Sequence, residues 1–144
     1  MVDWIGNTSV VFVMERSKYH RTMFFIAAIW NWALAISFLI LPRIDIGFFS
    51  LAGDVPAPPT LLWFDSFMGL VFAFGIGFYL VSRSVEKNHG LIAMASFEKV
   101  WVFIIGLYYF LIAQASLTLL LVVSGDLIFG ILFIEDLLAI RKTT

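Results

Sequence analysis

The stretch Leu117-Thr-Leu-Leu-Leu-Val-Val-Ser-Gly-Asp-Leu-Ile-Phe-Gly-Ile-Leu-Phe-Ile-Glu-Asp-Leu-Leu-Ala139 decides the fold of this chain. As a helix rising about 1.5 Å per residue it is long enough to cross a hydrocarbon core of about 30 Å. Yet Asp126 falls near its middle. A carboxylate at that depth costs at least roughly 2.5 kcal/mol on insertion scales, so it demands a partner, a proton or water.

The rest of the chain supports a membrane setting. Hydrophobic residues make up 62% of it and charged residues 13%, with a mean hydropathy of +1.00. Soluble domains carry roughly 45–50% apolar residues. A soluble chain of this length would expose apolar surface to water, whereas lipid accepts it without penalty. Residues 1–144 therefore read as a single transmembrane domain. The absence of cysteine excludes thiol redox chemistry, disulfides and thiolate metal ligands. A net charge of −1 argues against a nucleic-acid partner.

Taken in order, residues 1–22 read as an interfacial N-terminal segment, with Trp4 and Val10 to Val13 lying on the membrane surface. They lack the cationic start, longer apolar run and small-residue cleavage site of a secretory signal. The first span covers about 23–41, closed by Pro42, and carries Asn31 between Trp30 and Trp32. Segment 42–60, stiffened by four prolines, reads as an outer loop. The second span covers about 61–82, the third about 91–114 and the fourth about 117–139. Short connections at 83–90 and 115–118 favour packing between neighbours.

Lysine and arginine set the orientation. Arg16, Lys18, Arg21, Arg83, Lys87, Arg141 and Lys142 fall on one set of alternating connections, and only Arg43 on the other. The fold class predicted is thus all-α, an integral membrane antiparallel four-helix bundle with both termini cytoplasmic. In that topology Asn31 and Lys99 lie roughly 12 Å from the cytoplasmic ends of their helices, and Asp126 roughly 13 Å from its outer end. These depths allow Lys99, Asp126 and Asn31 to form one polar cluster, with Glu98 as a local competitor for Lys99. Asp65, about 6 Å from the outer end of its span, is a secondary candidate that reaches the interface. Glu135 and Asp136 fall near the inner end beside Arg141 and Lys142.

Other features carry less chemistry. His20 and His89 lie on cytoplasmic connections, but with no acid at a ligand spacing neither a metal site nor a cofactor is predicted. The aromatic residues of the second and third spans read as interface belts and lipid-facing bulk rather than a pocket. Arg16, Lys18 and Arg21 would attract anionic lipids without a specific partner. Phe74-Gly-Ile-Gly-Phe78 resembles Phe129-Gly-Ile-Leu-Phe133, without polar positions at a matching offset.

The run Trp30-Asn-Trp-Ala-Leu-Ala with Pro42, the segment 74–80 followed by Arg83 and Asn88-His-Gly90, Lys99, and Gly125-Asp-Leu-Ile-Phe129 with Phe133 together carry a resemblance. They resemble a group of small prokaryotic four-helix membrane proteins, broadly DoxX-like, which mostly lack an assigned activity. The resemblance implies the four-helix fold, a multi-pass location in a prokaryotic inner or plasma membrane, and attention to Asn31, Lys99 and Asp126. Glu98 departs from the small residue it would place there. With no nucleophile–base pair or phosphate loop in the sequence, the functional expectation is a non-enzymatic accessory or assembly subunit, or a lipid-binding bundle. Its partners would be membrane lipids, another membrane protein or a second copy. The alternatives are a proton- or ion-coupled transporter using Asp126 and Lys99, and a lipid-modifying enzyme.

Overall fold

The structure, a computed structural model, describes residues 4–53 and 57–141. Four long helices account for most of them: α1 (Trp4–Ile44), α2 (Leu62–Arg83), α3 (His89–Leu111) and α4 (Leu117–Arg141). Each contains a stretch long and apolar enough to cross a membrane, in α1 the 27 residues Lys18–Ile44.

The first helix is longer than the expected span at both ends. Its backbone is helical from Trp4, so residues 4–22 run into the span without a break. The expected surface placement of Trp4 and of Val10 to Val13 lies outside the residues whose side chains are described. At the other end Pro42 does not stop the helix, which runs on to Ile44. Proline removes the backbone donor that would reach Phe38 O, one hydrogen bond of the helix, while Pro42 itself is buried. Asp45 N then donates to Leu41 O at 2.9 Å.

Part of the expected outer loop is folded. Residues Ile46–Ala52 form a 3-10 helix started by Asp45, whose carboxylate accepts from Gly47 N at 2.8 Å. Phe48 and Phe49 pack there against Phe64 of α2, and Phe48 also meets Phe38 of α1. Gly53, at φ 139°, ends this segment in a conformation that side chains disfavour. It lies against the backbone of residues 114–116, the turn between α3 and α4.

That turn starts earlier than the sequence suggests, since α3 ends at Leu111 and not near Gln114. Ala113 adopts a left-handed φ of 58°, with Gln114 N donating to Tyr109 O at 2.9 Å. Ser116 restarts the chain, its hydroxyl accepting from Leu119 N at 3.1 Å as an N-cap.

Packing is organised in two pairs, α1 along α2 and α3 along α4. Along the first pair, Arg21 meets Ser82, Asn31 meets Val71 and Arg43 meets Asp65. Ala27, Ala28 and Ala35 are fully buried on α1, small residues that let helices approach closely. Between the pairs, contact passes through long side chains. Phe24 stacks on Phe133 at 4.5 Å between centroids, Phe78 meets Phe133 edge-on at 5.3 Å, and all three rings are fully buried. Outward, Trp63, Leu70, Phe97, Leu121 and Ile128 are exposed. In water such a surface would drive association, whereas against lipid tails it is at equilibrium.

Candidate functional site

The chemistry of the interior converges on Lys99. Its side chain is 1% exposed, and its ammonium donates to Asp126 Oδ1 at 2.6 Å and to Asn31 Oδ1 at 2.7 Å. Glu98 Oε2 lies 3.5 Å away, within ion-pair distance. The ammonium also sits 5.4 Å from the centroid of the Phe78 ring, a cation–π position. Asn31 in turn donates from Nδ2 to Val71 O at 3.1 Å. One buried cation thereby gathers groups from all four helices: Asn31 of α1, Val71 and Phe78 of α2, Glu98 beside it on α3, and Asp126 of α4.

Helical geometry explains why Asn31 points inward. Successive residues of a helix project about 100° apart, so a triplet addresses three directions. Trp30 turns towards α4, where its ring meets Phe129, and Trp32 turns towards α2, where it meets Phe72 and Tyr79. Asn31, between them, is fully buried. Both indoles need a missing side chain opposite: a Cβ on Gly125 would lie 2.9 Å from Trp30, and one on Gly75 would lie 2.5 Å from Trp32. The two glycines thus seat the tryptophans, and the tryptophans aim the amide.

The electrostatics of the cluster are uneven. An ammonium has three donors, of which Asp126 and Asn31 each take one. Two carboxylates face one cation. Glu98 Oε2 is buried and makes no hydrogen bond, so its interaction with Lys99 is purely electrostatic. The arrangement can hold helices together through a compensated charge, or hold a proton or small cation beside Glu98. It contains no nucleophile–base pair, and among the described residues no group of three potential ligands could hold a metal ion.

Of the residues singled out from sequence, Asn31, Glu98, Lys99 and Asp126 are brought together, and Asp65 is not. Asp65 lies apart and accepts from Arg43 Nη2 at 2.8 Å in an exposed pair. His20 does not approach His89, which is exposed at the start of α3. Its Nδ1 lies 2.7 Å from Asp136 Oδ1, with the two side chains 11% and 1% exposed; the contact meets ion-pair distance without the angular geometry of a hydrogen bond. The sequence reading placed Asp136 beside Arg141 and Lys142, whose side chains lie outside the described residues, and did not foresee its contact with His20. The available signal was spatial: Asp136 falls on the stripe of α4 that buries Asp126 and Phe133.

The chain matches no family model, no curated protein and no solved structure.

Proposed function

We propose that this chain is a small multi-pass protein of a prokaryotic inner or plasma membrane, an antiparallel four-helix bundle of the DoxX-like kind with both termini cytoplasmic. It acts without chemistry of its own, as an accessory or assembly subunit or a lipid-binding bundle, with lipids and a second membrane protein or second copy as partners. Four spans of sufficient length and hydropathy support the location. The excess of lysine and arginine on alternating connections supports the orientation. The observation that carries the reading is the way Lys99 is held, its buried ammonium donating to acceptors on two other helices and facing Glu98 on its own. Such a cation is a strut. Native purification followed by mass spectrometry tests this: co-purifying stoichiometric protein or retained lipid is the expected result. Turnover of an added lipid substrate would overturn it.

A second reading, a small proton- or ion-coupled transporter, is favoured by one observation, the buried Glu98 oxygen without a hydrogen bond. Reconstituted in liposomes, a transporter would give pH-gradient-driven flux that Asp126→Asn abolishes. Absence of flux over a broad substrate panel removes this reading.

A further inference from the structure

Where α1 enters the bundle and α2 leaves it, Arg21 and Arg83 line one depression, Lys18 precedes Arg21 by one turn of α1, and none of the three makes an ion pair among the described residues. Arg21 is nevertheless held firmly. Its Nε donates to Ser82 O at 3.1 Å and its Nη2 to Arg83 O at 3.0 Å. These are carbonyls of the last turn of α2, which a helix leaves without internal donors and which carry the negative end of its dipole. A guanidinium has five N–H groups, so three remain for another acceptor. Capping fixes the side chain and leaves most of its donor capacity free.

Beside it lies a depression of about 370 Å³ lined by Arg21, Thr22 and Phe25 of α1 and by Tyr79, Ser82 and Arg83 of α2. Its polarity changes along the helices. Near the start of the apolar stretch Lys18–Ile44 of α1 and at the C-terminal end of α2 are the two guanidinium groups. One turn further in, the rings of Phe25 and Tyr79 stand 6.4 Å apart. Beyond them Ile26, Ile29 and Ile76 are exposed apolar residues of the lipid-facing surface. Cations, then aromatic rings, then aliphatic surface is the order in which a phospholipid presents phosphate, glycerol and acyl chain.

We propose that this depression is a binding site for an anionic phospholipid. The phosphate sits on the free donors of Arg21 and on Arg83, with Lys18 adding charge, and an acyl chain follows Phe25 and Tyr79 onto the apolar face. The proposal rests on the reading that the chain spans a bilayer with this end at a membrane surface. It goes beyond diffuse attraction of basic residues to a leaflet, because a capped arginine presents its donors in a fixed geometry and phosphate accepts them in pairs.

The test uses the full chain in nanodiscs of equal parts phosphatidylcholine and phosphatidylglycerol, released into mild detergent and weighed by native mass spectrometry. The wild type should retain phosphatidylglycerol in preference to phosphatidylcholine. Arg83→Gln, which removes a side chain that makes no hydrogen bond among the described residues, should lower that preference about fivefold, and Arg21→Gln added to it about twenty-five-fold, on the usual strength of a basic residue at a lipid surface. Lys87→Gln, outside the depression, should leave it unchanged. Equal retention by the wild type and Arg83→Gln overturns the site, as does an equal loss on Lys87→Gln, which would mean diffuse attraction. If excess inorganic phosphate strips the lipid from the wild type, the site takes free phosphate and the lipid assignment falls. Incorporation with both lipids retained equally defeats this proposal alone. Failure to enter nanodiscs defeats the membrane reading beneath it.

Discussion

Lys99 and Asp126 meet at 2.6 Å with 1% and 9% of their side chains exposed, whereas Arg43 and Asp65 meet at 2.8 Å with 51% and 32% exposed. The bond lengths are nearly equal and the consequences are not. At the exposed pair, either charge that loses its partner is solvated at once, so the pair contributes little. At the buried pair, attraction repays a desolvation cost that has already been incurred, and a widowed charge has nowhere to go. Geometry alone would rank the two together; burial separates them.

The comparison is sharpest under Asp126→Leu. Removing the carboxylate bonded to Lys99, with only Glu98 left facing the ammonium at 3.5 Å, should destabilise the bundle by about 3–5 kcal/mol. Adding Lys99→Met should restore most of that loss, and the strong non-additivity is read from a double-mutant cycle of unfolding in detergent. Simple additivity would sink the pairing. Next in size is Gly125→Val, which drives a side chain into the Trp30 ring and should cost about 1–3 kcal/mol by overpacking. Trp30→Leu in the same chain should recover part of it. Asn31→Leu should cost about 1–3 kcal/mol, because one ammonium donor of Lys99 is left unsatisfied while Asp126 still neutralises the charge. Smallest is Arg43→Gln or Asp65→Asn, each expected below about 1 kcal/mol and nearly additive in combination. A loss there as large as that of Asp126→Leu would erase the distinction between the pairs.

Much of this architecture was legible in residue order because membrane spans obey a simple rule of length and hydropathy. Depth along each helix, counted from its ends, put Asn31, Lys99 and Asp126 at comparable levels. It could not supply rotation about the axis, and rotation is what Trp30, Trp32, Gly75 and Gly125 specify together. Asp136 shows the limit. Counting along the chain placed it near the inner end of its span, whereas its contact with His20 depends on which face of α4 turns towards α1. Pro42 misled for a different reason, since the rule that proline ends a helix is weak when the residue already lies in the last turn. The 3-10 segment Ile46–Ala52 was hidden because its order comes from Phe38 and Phe64, which belong to other elements.

Lys99 and Asp126 sit on consecutive helices joined only by the turn 112–116. That adjacency bears on how the chain is made. A translocating segment carrying Glu98 and Lys99, followed by one carrying Asp126, would face two separate barriers at the lateral gate of the insertion machinery. Released together, α3 and α4 enter lipid with Lys99 already paired to Asp126. The smallest unit that can partition cleanly is therefore the two-helix module, and a longer linker inserted at 112–116 would delay its assembly while leaving the Lys99–Asp126 pair itself intact.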